Sequence, residues 1–116
     1  MRVIHKSLRR EFSKRGVCEY CGRKAKTDCA HIWSRGAGQV DIIENLVSLC
    51  RRCHRRSHDG HDPSRSALMV IVCQREGKPF SLRFEVANRI EDRVHRLRRM
   101  RKVKVWDVDK MGPAPE

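Results

Sequence analysis

Two Cys-x-x-Cys pairs are the residues whose type and spacing most directly predict chemistry in this chain. Cys18 and Cys21 form the first pair, and Cys50 and Cys53 form the second after 28 intervening residues. Four thiolates are the usual tetrahedral ligand set of a structural Zn²⁺. Two disulfides or a redox Cys-x-x-Cys are the alternatives, but cysteines this close in a tight turn direct their sulfurs more readily at a shared ion than at each other. We therefore predict that these four cysteines bind structural zinc, with Gly22 serving the first turn.

Two histidines next to the second pair form another candidate metal site. Cys50 and Cys53 look like the start of a helix, and on a continuing helix His54 and His58 share one face. Both imidazoles would then reach one further ion. Two alternatives stay open: surface histidines on a basic helix, or stand-in ligands for the structural zinc.

His31 strengthens the prediction of a second metal site. It lies in the short apolar-biased run at residues 28–33, which predicts a β-strand. A second strand at residues 46–49, followed by the helix, would bring His31 beside His54 and His58. Three histidines would then surround one scissile bond.

With these residues the chain resembles the HNH endonucleases, the ββα-metal family that includes homing nucleases, phage nucleases and nuclease colicins. The resemblance covers about residues 17–60 and rests on Cys-x-x-Cys, Ala30-His31-Ile32, Asn45-Leu46 and Leu49-Cys50-x-x-Cys53-His54-x-x-x-His58. It implies that His31 is the general base, that Asn45 fixes the loop and orients that base, and that His54 and His58 bind the catalytic ion. It also implies products with 5′ phosphate and 3′ hydroxyl ends, and it makes a bacteriophage or mobile-element setting plausible by analogy.

Ala30 departs from the family pattern. Most members carry Asp, Glu or His directly before the base, and that residue usually holds the catalytic ion. The residues near enough in sequence to replace it are Asp28, Asp41, Asp59, His61 and Asp62, and the sequence does not choose among them. Alternatively, the ion keeps an extra water, or the chain is a degenerate copy that binds DNA without cutting.

The predicted cofactors are a structural Zn²⁺ and a catalytic divalent ion: Mn²⁺, Ni²⁺, Zn²⁺ or Mg²⁺. Two nitrogen ligands suit zinc, nickel, cobalt or manganese better than magnesium, which prefers an all-oxygen octahedron. A neutral histidine near pH 7 can take a proton from water, and a divalent ion can stabilise the charge that grows on the phosphate.

Composition predicts a nucleic-acid partner. The 27 Lys and Arg residues against 14 acidic residues give a formal charge of +13, which is typical of proteins drawn to polyanions. A zinc ion with four thiolates lowers this by about two units. The predicted DNA-contacting residues are Arg35, Arg51, Arg52, Arg55 and Arg56, with a solvated side chain as the alternative for any one of them. Aromatic residues are only 5% of the chain, and Tyr20 and Trp33 are predicted to be core residues rather than stacking platforms.

The predicted organisation is one α+β domain, residues 1–116, built on a small zinc-stabilised ββα-metal, treble-clef-like motif with flanking helices. Its parts are a basic N-terminal helix at 1–16, a zinc-clamped core at 17–61, a C-terminal extension at 62–110 and a loose tail at 111–116.

The chain lacks an apolar signal-peptide region and any long apolar stretch, which favours a bacterial or phage-infected cytoplasm, no membrane partner and reduced cysteines. Cys29 and Cys73 fall outside both pairs. Cys29 could be an alternative zinc ligand, but a buried small apolar residue is the commoner role.

The C-terminal extension is ambiguous. Asp62-Pro63-Ser64 looks like a helix start with proline at the first position, and Gly77 could end that helix. A hairpin is the alternative, because residues 68–73 are an apolar run rich in β-branched side chains and residues 80–86 alternate. Residues 87–100 predict a helix, and residues 103–108 predict a short edge strand.

The predicted function is metal-dependent hydrolysis of DNA phosphodiester bonds, with one active site per chain nicking one strand. A catalytically inactive, zinc-stabilised DNA-binding module is the main alternative, and RNA cleavage is a weaker one.

Overall fold

A strand pair followed directly by a helix lies at the centre of the structure. The computed structural model describes residues 2–33, 40–79 and 105–113. In chain order its elements are β1 (Arg2–Ile4), α1 (Lys6–Ser13), β2 (Thr27–His31), β3 (Leu46–Cys50), α2 (Arg51–His58), α3 (Arg65–Glu76), β4 (Val105–Asp107) and α4 (Val108–Met111), with a 3₁₀ turn at Ile43–Asn45 before β3. β2 pairs antiparallel with β3, and α2 follows β3 without a loop. The predicted α+β class with a ββα unit is confirmed.

β3 is the most deeply buried strand, and it anchors the hairpin in the core. All five of its residues are buried, and the register places Leu46 opposite His31. Two buried hydroxyls join the hairpin to α1: those of Thr27 and Ser48 donate to the carbonyl of Phe12 at 3.1 and 2.7 Å. Because helix ends leave carbonyls without helical partners, these bonds seat α1 on the hairpin.

α3 is the helix that the sequence left undecided between helix and hairpin. The Ser64 hydroxyl caps it by accepting from the Ala67 amide at 3.2 Å, and Gly77 ends it at φ +65°. The residues it buries against the hairpin are Leu68, Met69, Val72 and Cys73. The hairpin alternative is wrong. The proposed start is also displaced, because Pro63 precedes the cap instead of opening the helix.

Arg75 joins α3 to the rest of the core. Its guanidinium donates to the Glu19 carboxylate at 2.9 Å and to the carbonyls of Leu46 and Ile43 at 3.0 and 2.8 Å. It also lies over the Phe12 ring, 5.0 Å from the centroid. One side chain therefore holds the loop of the first cysteine pair, the 3₁₀ turn and β3 in fixed relation.

The two ends of the chain meet in a small second sheet. β1 pairs in parallel with β4, and the Ser7 hydroxyl donates to the Asp109 carboxylate at 2.6 Å. The predicted N-terminal helix is therefore shorter than expected: residues 2–4 are a strand, and the helix begins at Lys6. β4 agrees with the predicted strand at 103–108 over residues 105–107. Predictions for residues 80–104 and 114–116 lie outside the described residues.

One aromatic residue is not where the sequence predicted. The Tyr20 side chain is solvent-exposed, with 43% of its surface accessible, so its assignment to the core is wrong. Trp33 is half-buried and packs against the core, as predicted. Within the described ranges, no helix is both long and apolar enough to cross a membrane.

Candidate active site and cysteine cluster

Cys18, Cys21, Cys50 and Cys53 come together as the sequence predicted. Their four sulfur atoms all lie within 4.8 Å of one another, and no described cysteine is in a disulfide. The first pair lies in a tight turn in which Gly22, at φ +73°, donates its amide to the Cys18 carbonyl at 2.9 Å. The second pair lies at the β3–α2 junction. A four-sulfur cluster at this spacing fits a tetrahedral zinc ion.

The electrostatics of the thiols also favour a cation. Burial opposes ionisation of Cys18, but backbone hydrogen bonds at Cys21, Cys50 and Tyr20 outweigh it and lower the Cys18 pKa to about 7. Burial raises the pKa of Cys53, and the neighbouring thiols reinforce this. The Cys18 thiolate therefore forms readily, whereas Cys53 ionises only when a cation compensates its charge.

His31 lies at the end of β2, where a buried carboxylate holds its ring. Its Nε2 is 2.5 Å from Asp41 Oδ1. Asp41 is fully buried and also accepts from the His5 amide at 2.8 Å and pairs with Arg9 Nε at 2.6 Å. Burial alone would raise the Asp41 pKa, but the hydrogen bonds from His31 and His5 and the Arg9 charge outweigh it and hold that pKa below its usual range. Because the ionised carboxylate accepts from Nε2, neutral His31 carries its lone pair on Nδ1.

Asn45 fixes the chain next to His31. Its Oδ1 accepts from the Trp33 amide at 2.8 Å, and its Nδ2 donates to the carbonyls of Trp33 and Val40 at 3.1 and 2.9 Å. The side chain is completely buried, so these bonds are shielded from water. Asn45 thus joins both flanks of the segment that separates β2 from the 3₁₀ turn.

His54 and His58 face each other on α2. Their Nε2 atoms are 3.0 Å apart, and His54 Nδ1 is 3.1 Å from Asp28 Oδ2. Two nitrogens on one zinc at about 2.1 Å lie roughly 3.0 to 3.4 Å apart for bond angles of about 90° to 109°. A carboxylate on the second ring nitrogen is the usual companion of a metal-binding histidine. The pair therefore fits a divalent ion.

All three histidines open into one cavity of about 190 Å³. It is lined by Ala30, His31, Ile32, His54, Ser57, His58, Arg65 and Leu68. Arg65, in the first turn of α3, also lies over the Trp33 ring, 5.4 Å from its centroid. A candidate base, a candidate ion site and a cationic side chain thus share one polar cavity.

Comparison with protein-family models matches residues 18–60 to the HNH endonuclease family. This segment is an HNH domain. It contains all four clustered cysteines, the three histidines and Asn45.

Part of the chain is also similar to a curated protein. The type IV methyl-directed restriction enzyme EcoKMcrA of Escherichia coli strain K12 is 28% identical over 67 residues. The match covers 50% of this chain but 24% of that enzyme, so the chain spans about a quarter of the relative's length. No solved structure matches the chain.

No described Cys, His, Asp or Glu side chain joins His54 and His58 as a third ligand in the place of Ala30. Within residues 2–33, 40–79 and 105–113, the cysteine cluster is the only group of three or more Cys, His, Asp or Glu ligand atoms close enough to hold one ion. Of the five candidates for the third ligand, Asp28 contacts His54 and Asp41 contacts His31, while Asp59, His61 and Asp62 are exposed.

The predicted DNA-contacting arginines of α2 are all exposed: Arg51, Arg52, Arg55 and Arg56. Arg51 lies 3.8 Å from Asp28, beside the histidine pair. Arg52 and Arg56 line a different cavity, next to the cysteine cluster. Arg35 lies outside the described residues.

Sequence reasoning missed three contributions to the site of the HNH domain. Asp41 and Asp28 were considered only as ion ligands, whereas the structure places each on a histidine ring. Arg65 was not singled out. Its position one residue after the α3 cap, close in sequence to His58, was the available signal, but the path of the chain between α2 and α3 cannot be read from composition.

Proposed function

We propose that the HNH domain is a metal-dependent endonuclease that hydrolyses DNA phosphodiester bonds and nicks one strand per active site. The observation that carries this proposal is the single cavity lined by His31, His54 and His58. The family match and the formal charge of +13 support a nucleic-acid substrate. The methyl-directed activity named for the relative is not carried over, because the match covers so little of that enzyme.

In this mechanism His31 is the general base. Asp41 accepts from Nε2, so Nδ1 is free of a proton and takes one from the attacking water. The resulting imidazolium is stabilised by the buried carboxylate, which Arg9 and the His5 amide keep ionised. The reaction thus starts with a correctly oriented neutral histidine and passes through a paired charged one.

His54 and His58 would hold the catalytic ion through their Nε2 atoms, and the cluster of four cysteines would hold a structural zinc. When bound, a divalent ion at the histidines supplies a positive charge for the phosphate and for the leaving oxygen. Asp28 orients His54 through Nδ1, which leaves Nε2 for the ion. Mn²⁺, Ni²⁺, Zn²⁺ and Mg²⁺ are the ions to test, and the two nitrogen donors favour the first three.

Arg65 would place the scissile phosphate in the cavity. A guanidinium binds phosphate oxygens through forked donors, and stacking on Trp33 limits the directions this one can take. The exposed arginines of α2 would contact the backbone on either side of the cut. These contacts position the strand without reading its sequence.

Ala30 favours a second candidate function, a zinc-stabilised module that binds DNA without cutting it. With two described protein donors for the ion, the remaining ligands must come from solvent or substrate. A module of this kind would keep the cysteine cluster and the arginines but would gain nothing from Asp41 behind His31. RNA as the substrate is an outcome of the same experiment.

Conversion of supercoiled plasmid to open circles tests the proposal. Wild type, Arg65→Ala and Arg10→Ala are compared in each of the four metals, with matched RNA in parallel. Arg10 is an exposed arginine of α1 that lines neither cavity, so its variant controls for the loss of one charge. We expect metal-dependent nicking by wild type and Arg10→Ala, and weaker nicking by Arg65→Ala. Salt-sensitive DNA binding with no cutting in any metal would support the binding module instead.

A further inference from the structure

A second cavity lies on the other side of α2. Arg52, Cys53 and Arg56 of that helix line it, whereas His54, Ser57 and His58 line the candidate active site. Its other lining residues are Tyr20, Cys21, Arg23, Cys50 and Asp62. The two cavities therefore flank one helix of two turns.

This second cavity is much larger than the space that a zinc ion occupies. Its volume is about 370 Å³, whereas a single water-sized particle occupies roughly 30 Å³. Cys18, the most buried residue of the cluster, does not line it. The cavity therefore has room beyond an ion at the cluster, and the lining residues other than cysteine are Tyr20, Arg23, Arg52, Arg56 and Asp62.

The side chains around this space suit a nucleotide. Tyr20 presents an exposed aromatic ring, and the planar guanidinium groups of Arg23, Arg52 and Arg56 also stack on bases or bind phosphate oxygens. Arg56 Nε donates to the Asp62 carbonyl at 3.3 Å, which holds Arg56 at the rim. The Asp62 carboxylate can accept from an exocyclic amino group.

We propose that this cavity receives one unpaired nucleotide of the nucleic acid that lies across α2, with its base stacked on Tyr20. The inference rests on the proposed action on nucleic acid, and it adds a preference for sites with a bulged or unstacked base. One aromatic platform serves one base, which agrees with the low aromatic content of the chain. The alternative role for these arginines is to balance the charge of the thiolate cluster, and the experiment separates the two roles.

Tyr20 is the only tyrosine of the chain, so fluorotyrosine labelling gives a single ¹⁹F signal. The protein, loaded with one equivalent of zinc and no further metal, is titrated with a fully paired DNA hairpin and with the same hairpin carrying one bulged nucleotide. We expect the ¹⁹F signal to shift with the bulged hairpin more than with the paired one. Tyr20→Leu should weaken binding of the bulged hairpin about tenfold and leave the paired hairpin unchanged, while Tyr20→Phe keeps the preference.

A ¹⁹F signal that responds equally to both hairpins, or to neither, would overturn the proposal, and this result needs no variant. Arg52→Ala provides a further readout through zinc content and hairpin affinity. Weaker zinc affinity, together with an unchanged bulge preference when the variant is fully loaded with zinc, would assign that arginine to the cluster and contradict the proposal. Failure of the proposed function gives a different result. Bulge-selective binding with no cutting in any metal would refute the nuclease and leave the nucleotide site standing. Cutting by a protein whose hairpin binding does not depend on Tyr20 would refute the nucleotide site and leave the nuclease standing.

Discussion

Two histidines of the candidate site each have one ring nitrogen in contact with a carboxylate, which leaves the other nitrogen for the proposed chemistry. Asp41 holds His31 through Nε2, and Asp28 holds His54 through Nδ1. The sequence predicted His54 and His58 from their spacing along one helix, and His31 from the strand that precedes it in the motif. It did not predict the roles of the two aspartates, because which nitrogen a carboxylate reaches depends on the paths of β2 and of the segment before the 3₁₀ turn.

Removing the Asp41 charge tests the orientation of His31. We expect Asp41→Asn to lower the cleavage rate by about 10² or more, because the amide neither fixes the same tautomer nor stabilises the imidazolium. The Michaelis constant should change little, since Asp41 is buried away from substrate. Single-turnover rates of wild type and Asp41→Asn with matched zinc content, taken over a range of protein concentrations, measure both quantities. An unchanged cleavage rate would contradict the assignment of His31 as the base.

Cys29 gives a pH-dependent prediction. Burial, reinforced by the Asp41 charge, raises its pKa from 9.0 to about 12. Because the folded state holds this proton more tightly than the unfolded chain, the stabilisation is full below about pH 9 and is lost as pH rises through the folded pKa. Urea unfolding from about pH 8 to 11 should therefore show a steeper alkaline loss of stability in wild type than in Cys29→Ala. Parallel slopes would show that the thiol ionises equally in both states.

The sequence predicted those helices and strands that are determined by residues close together in the chain. The hairpin strands, α2 and the Gly77 end of α3 follow from spacing and turn chemistry. The strand β1 was missed because its partner, β4, lies about 100 residues later in the chain. The apolar run at residues 68–73 was ambiguous because it is buried along much of its length, and a serine cap and a glycine end decided in favour of a helix.

Arg75 is the element-scale link whose loss should be most visible in stability. Arg75→Ala leaves the Glu19 carboxylate and two carbonyls without this donor, and we expect a loss of about 3 kcal/mol in the free energy of unfolding. Exposed Arg10→Ala should stay within about 0.5 kcal/mol of wild type. Urea unfolding curves with zinc present measure the free energy of unfolding of both variants. Equal values for Arg75→Ala and Arg10→Ala would mean that α3 is held by apolar packing alone.

At the scale of the whole molecule, metal should decide whether the chain folds. A chain with 35% charged residues has a small apolar core, and the cysteine cluster joins a loop to the β3–α2 junction. We expect strong chelation to abolish the far-ultraviolet circular dichroism signal and added zinc to restore it. Cys50→Ser should behave like the chelated protein, whereas Cys29→Ala, outside the cluster, should not. A melting temperature unaffected by chelation would refute a structural metal.

The most direct test of the central claim is single-turnover cleavage of an end-labelled DNA duplex by wild type and His31→Ala. The protein is in excess, the two proteins have equal zinc content, and their DNA affinities are measured in parallel. We expect metal-dependent cutting by wild type and a rate at least about 10²-fold lower for His31→Ala at unchanged affinity. Equal rates for the two proteins would contradict it, because the cavity of three histidines would then not be where the bond is broken.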